Sequence, residues 1–212
     1  TLRLRPREGH ELRIENSLLD ISPNASLRWH RDVEGNSVAT ASFSDKAQTL
    51  TINSEIIIQK YDQEPYDFLV ADYAVDYPFN YSDEDQALLS PYMKKAGEKE
   101  QGGLNKLLFN VSQPSVAIQT FALLLRLNKH IHQTVSYKRR EEEGVQSAGE
   151  TLNLCSGSCR DLAFLYMAAA QQLGFAARFI SGYIYSATDI IQSGATHAWV
   201  EVFIPGAGWK GF

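Results

Sequence analysis

Ser156-Gly157-Ser158-Cys159-Arg160-Asp161-Leu162-Ala163 reads as a loop turning into a helix. Gly157 and Ser158 end the loop. From Cys159 onward the apolar residues recur at helical spacing, with Leu162, Leu165, Tyr166, Ala169 and Leu173 on one side. Gly174 then closes the helix, as a glycine does just past a helix end. Cys159 is therefore expected in the first turn of a buried helix. That position carries chemistry. Unpaired amides and the positive end of the helix dipole favour a thiolate over a thiol, and the thiolate is the nucleophile. The same amides can stabilise an oxyanion.

A nucleophilic cysteine needs a base held within hydrogen-bond reach. Downstream, Thr196-His197-Ala198-Trp199-Val200-Glu201-Val202-Phe203-Ile204 alternates with period two and reads as a strand. Ala198, Val200, Val202 and Ile204 make a wholly apolar face. His197, Trp199, Glu201 and Phe203 make the other, so His197 turns toward a partly polar side, where a cleft histidine belongs. Pro205-Gly206-Ala207-Gly208 turns the chain and Trp209 starts a return strand. Taken singly, a helical cysteine is an ordinary small hydrophobe and a strand histidine is ordinarily structural. The combination points to a nucleophile and its base.

Three segments together, Gly157-Ser158-Cys159-Arg160-Asp161, Ala176-Ala177-Arg178-Phe179-Ile180-Ser181-Gly182-Tyr183 and His197-Ala198-Trp199-Val200-Glu201-Val202, resemble the bacterial transglutaminase-like superfamily of cysteine proteases. Residues 1–61 resemble the β-rich N-terminal region that accompanies this domain. The resemblance implies an α+β fold: a papain-like, transglutaminase-like core in which a nucleophile helix packs on an antiparallel sheet, preceded by a small antiparallel β domain. It also implies a Cys-His-Asp triad, with Cys159 as nucleophile and His197 as base. In the family the orienting aspartate follows in a Gly-Phe-Asp-Pro-Thr type segment. This sequence reads Trp209-Lys210-Gly211-Phe212, so the acid is expected as the next residue of a longer chain. Loss of that group costs orders of magnitude in rate. Asp161, fixed on the nucleophile helix, is expected to support the first turn electrostatically rather than to substitute for it.

The rest of the chain supplies setting. Residues 1–61 suggest a small antiparallel sandwich, with strands at Glu11–Ile14, Asn36–Phe43 and Thr49–Tyr61. Residues 62–81 carry six aromatics and read as a packed linker, leaving 82–212 as the catalytic domain. Ser82-Asp83-Glu84-Asp85 opens a short helix, and Gly102-Gly103 is expected to break the next one. Val116 to Val135 reads as a helix with a stripe of Ile118, Phe121, Ala122, Leu125 and Ile131. Arg139-Arg140-Glu141-Glu142-Glu143 reads as solvated surface. Cys155 reads as a plain loop cysteine, with a resolving thiol as its other reading.

Among the 212 residues, 44% are hydrophobic and 21% charged, and the net charge is −5. No basic face for nucleic acid is suggested, and no apolar run approaches the ~18–20 residues of a membrane span. The first residues lack the apolar core of a signal peptide. Two cysteines do not make a disulfide scaffold, and a cytoplasmic setting is expected. No metal and no cofactor is expected: only Cys155, Cys159 and His197 could converge, and closed zinc sites take four ligands. The expected activity is acyl transfer from a peptide or protein amide through a thioester, with hydrolysis ahead of amine transfer (a transglutaminase). A non-catalytic interaction module that keeps the fold is the alternative, and a Cys155–Cys159 redox pair ranks last.

Overall fold

Residues 4–61, 66–112, 117–184 and 196–212 are described by a computed structural model. They divide into two compact units, Thr1–Asp67 and Phe68–Phe212. In the first, period-two alternation produces antiparallel pairs. β1 (Leu12–Ser22) pairs with β4 (Thr51–Lys60), and β2 (Ser26–Arg31) pairs with β3 (Ser37–Ser42). Two features exceed the sequence reading. β1 runs eight residues past Ile14, to Ser22, through a register shift between Ile14 and Asn16, and β2 is an additional strand. The shift explains the misreading, since an irregular residue flips the alternation that pattern reading relies on. Asp32 fixes the β2–β3 turn by accepting the amides of Glu34 and Asn36 at 3.0 and 2.8 Å.

The second unit is built around one buried helix. Its elements in order are β5 (Asp76–Tyr77), α1 (Asp83–Leu89), α2 (Glu98–Phe109), β6 (Ile118–Gln119), α3 (Thr120–Thr134), β7 (Ser136–Tyr137), α4 (Ala148–Leu154), β8 (Ser156–Gly157), α5 (Cys159–Gln172), β9 (Ala177–Tyr183), β10 (Thr196–Ile204) and β11 (Gly208–Gly211). β9, β10 and β11 form an antiparallel sheet with β10 in the centre. Val200, Val202 and Ile204 of β10 are fully buried, as the alternation requires. They share a core with Leu165 and Ala169 of α5, Leu123, Leu124 and Leu127 of α3, and Leu104 of α2. Each of these leucines, valines and the isoleucine contributes about 1.5–3 kcal/mol by leaving water. Of the segment 62–81, residues 62–65 lie outside the described residues. Phe68 onward lies in the second unit, where Tyr77 stacks on Phe175 at 5.4 Å and the Tyr81 hydroxyl donates to Phe203 O at 2.8 Å.

Two helices depart from the sequence reading. α2 runs straight through Gly102-Gly103. A Cβ on Gly103 would meet Leu152 Cδ1 of α4 at 3.2 Å, so this glycine permits close helix packing instead of ending the helix. α3 begins at Thr120 rather than near Val116, which lies outside the described residues. Ile118 is in β6, paired to Tyr77. The buried stripe of α3 is Thr120, Leu123, Leu124, Leu127 and Ile131, while Leu125 is exposed. Three consecutive leucines span more than half the helix circumference, and the sequence reading chose the wrong one.

Candidate active site

α5 starts at Cys159, as the residue pattern indicates, and its far end is closed by local backbone bonds, with the Tyr77 hydroxyl also donating to Leu173 O at 3.0 Å. Gly174 adopts φ +95° and its amide donates to Gln171 O, while the Phe175 amide reaches back to Ala170 O, both at 3.0 Å. This pair of bonds is a Schellman ending, with Phe175 buried as its apolar partner. The chain then continues as β9. Fourteen helical residues rise roughly 20 Å, and the seven residues of β9 span about the same. β9 and β10 both pack on α5, and β9 ends at Tyr183. Gly182, near that end, is in register with His197 of β10. Cys159 and His197 are both half-buried.

The outer sheet face around His197 is shaped by one indole. A Cβ on Gly182 would lie 2.4 Å from Cη2 of Trp199, and one on Gly211 would lie 3.5 Å from its Cδ1. Trp199 therefore spreads over two glycines, from β11 across β10 to the strand residue opposite His197. Further along this face Arg178 pairs with Glu201 at 2.7 Å and stacks its guanidinium 4.1 Å above Trp209.

At the helix start the structure corrects the reading of 139–143 as solvated surface at one residue: Arg139, Glu141, Glu142 and Glu143 are exposed, but Arg140 is not. Arg140 sends Nη1 to both carboxylate oxygens of Asp161, at 2.7 and 2.8 Å. Asp161 is fully buried and also accepts the amides of Gln146 and Ser158 and the Ser158 hydroxyl, at 2.8, 2.8 and 2.7 Å. Burial alone would raise its pKa. The Arg140 bond and the three others outweigh it and hold the carboxyl down at about 2. The same segment is fastened at further points. β7 pairs with β8, Lys138 N donates to Gly157 O at 2.8 Å, and Arg160 Nη2 donates to the carbonyl of Glu142. Gly157 is required here, because a Cβ would lie 2.8 Å from Cβ of Asp161. Cys155 is exposed, ends α4 in the left-handed conformation at φ +47°, and is a free thiol, as is Cys159. Among the described residues no three His, Cys, Asp or Glu side chains are grouped to hold a metal, and no helix is long and apolar enough to cross a membrane.

Sequence reasoning singled out Cys159 and His197 and missed Arg140, Gln146 and the glycine seats of Trp199. Nothing in local spacing signals Arg140, which stands 21 residues from its partner.

Residues 115–212 match the family model of the transglutaminase-like superfamily, and residues 1–59 match that of the bacterial transglutaminase-like N-terminal region. A crystal structure described as a putative cysteine protease from Cytophaga hutchinsonii aligns with 99% of this chain and 68% of its own, with a TM-score of 0.71 at 16% identity. The periplasmic domain of TgpA from Pseudomonas aeruginosa aligns with 60% of this chain and 46% of its own, with a TM-score of 0.44 at 20% identity. An uncharacterized protein of Mycobacterium leprae is 32% identical over 71 residues, and the chain spans 25% of that relative's length.

Proposed function

We propose, for a chain whose transglutaminase-like core follows a bacterial transglutaminase-like N-terminal region, cysteine-dependent acyl transfer at an amide bond, with Cys159 as nucleophile and His197 as base. One observation supports it above others. Cys159 is the first residue of a buried helix, and the strand that follows this helix is paired with the strand that carries His197. The Cys159 thiolate attacks the amide carbonyl carbon, and amides at the start of α5 donate to the oxyanion. The C–N bond breaks as His197 passes its proton to the leaving amine. Water then attacks the thioester, His197 takes its proton, and the acid product leaves Cys159 as thiolate.

The orienting carboxylate, in this reading, is an aspartate following Phe212 in a longer chain. Phe212 exchanges both backbone hydrogen bonds with Val200, at 2.8 and 3.2 Å. The register would set the next residue opposite Trp199, on the face of His197.

The test is acyl-enzyme trapping with a peptide library. Intact-mass analysis should show thioester adducts on Cys159 that vanish in Cys159→Ala. Extension of the chain by Asp-Pro-Thr should raise amide turnover by more than about tenfold. Adducts that persist in Cys159→Ala, or turnover unchanged by His197→Ala, would refute the assignment. Release of free acid identifies hydrolysis, whereas transfer to an added amine identifies a transglutaminase.

A further inference from the structure

Two residues from the nucleophile sits a buried carboxylate, and nothing in the reaction above uses it. A negative charge at that distance opposes a thiolate. It also lies at a helix start, where the positive dipole end would otherwise favour one. The structure answers this conflict with Arg140, whose guanidinium bonds both oxygens of Asp161.

We propose that Arg140 and Asp161 form a charge clamp for Cys159: Asp161 fixes the helix start, and Arg140 cancels the field that Asp161 would impose on the thiolate. Both are positioning residues, and the inference rests on Cys159 being the nucleophile. The mechanical half is visible in the bonds. One carboxylate holds Ser158, immediately before Cys159, by amide and hydroxyl, and holds the incoming loop at Gln146. Gly157 lets the loop lie against Asp161 itself. The electrical half follows from burial. Asp161 is out of water, so its charge is screened by Arg140 rather than by solvent.

The surrounding charges leave the clamp as the decisive pair. Glu142 lies 3.6 Å from Arg140 Nε but is exposed and screened by water. Glu150 of α4 is held by the Ser147 amide at 2.8 Å. On α5 itself Arg160 is directed to the Glu142 carbonyl. From the sheet, His197 of β10 is half-buried, while Arg178 and Glu201 are paired with each other. α2 and α3 contribute Leu104, Leu123 and Leu124 to the core shared with α5.

The measurement is the pH profile of iodoacetamide alkylation at Cys159, in a Cys155→Ser background so that a single thiol reports. Arg140→Met should move the midpoint up by about half a pH unit or more, because the bare carboxylate repels the thiolate. Asp161→Asn should move it down by a similar amount, because the bare guanidinium attracts it. The double variant should return near the parent value, and Arg140→Lys should hold it. A role confined to holding the helix would move both single variants the same way, and that result, or no shift in either, overturns the proposal. If Arg140→Met fails to fold, Asp161→Asn still decides: a downward shift supports the clamp, and an upward shift or none refutes it. These midpoints can be read on a thiol that turns over nothing. Failure of the enzymatic reading would appear as absent thioester with opposite shifts intact. Failure of the clamp would appear as lost opposition while turnover persists.

Discussion

The two ends of α5 are held by different physics. At Gln172 the helix stops through bonds among residues 170–175: two backbone hydrogen bonds, a left-handed glycine and a buried phenylalanine. At Cys159 it starts through bonds that reach back to Arg140 and Gln146 and converge on one buried carboxylate. The distal end is closed mainly by these local backbone bonds, and what reaches it from elsewhere is neutral: the Tyr77 hydroxyl donates to Leu173 O, and the Gln171 amide donates to Tyr92 O and Ala177 O. The nucleophile end is long-range and ionic, and one atom group serves several partners at once. An end that must present a reactive sulfur at a fixed position gains from the second arrangement. A network with a shared centre resists small displacements, but loss of the centre frees every partner together.

Removal of the centre should therefore give the largest effect. Asp161→Ala leaves Arg140 mostly buried without its carboxylate and three further donors without an acceptor, a loss of about 3–5 kcal/mol in the usual range for a broken buried pair. Urea unfolding of the purified variant measures it. A loss below about 1 kcal/mol would mean that water replaces the carboxylate and that the two ends are alike.

Acid offers a graded version of the same break. The folded-state pKa of Asp161 is about 2, below the ~3.9 of an unfolded aspartate. Its folded value is depressed, so the stabilisation is fully present above the unfolded value. It falls away as the pH drops from about 4 through about 2. Linkage sets its full size at about 2.5 kcal/mol, and about 2 kcal/mol of it is gone by pH 2. The stability difference between wild type and Asp161→Asn should thus shrink by about that amount between pH 6 and pH 2. A pH-independent difference would show that the carboxylate is not charged in the clamp.

Legibility in the sequence follows the same division. The helix from Cys159, the glycine past its end and the β10 face of Val200, Val202 and Ile204 were readable, because each depends on residues a few positions apart. Arg140 was read as solvated although its guanidinium grips a buried carboxylate. A charged run looks the same whether or not a distant aspartate captures one member. Gly102-Gly103 misled for a related reason: a glycine pair signals a break locally, yet here Gly103 clears space for Leu152 of another helix. Trp199 was placed on the correct face, but that its ring rests on Gly182 and Gly211 is decided by two other strands.

The smallest effect should come from the local end. Gly174→Ala puts a side chain at φ +95°, a conformation in which nothing lies within 4 Å of the new Cβ. No neighbour is displaced, so the cost is only the intrinsic penalty of a left-handed alanine, about 1 kcal/mol. The Schellman bonds use backbone groups that the substitution leaves in place. Cys159 sits at the other end of a rigid helix whose start is separately clamped. Alkylation at Cys159 should therefore keep the wild-type rate and pH midpoint while the urea midpoint falls slightly. If Gly174→Ala slowed alkylation severalfold, the ends of α5 would be coupled through the helix. The long-range clamp would then be insufficient to fix the nucleophile by itself.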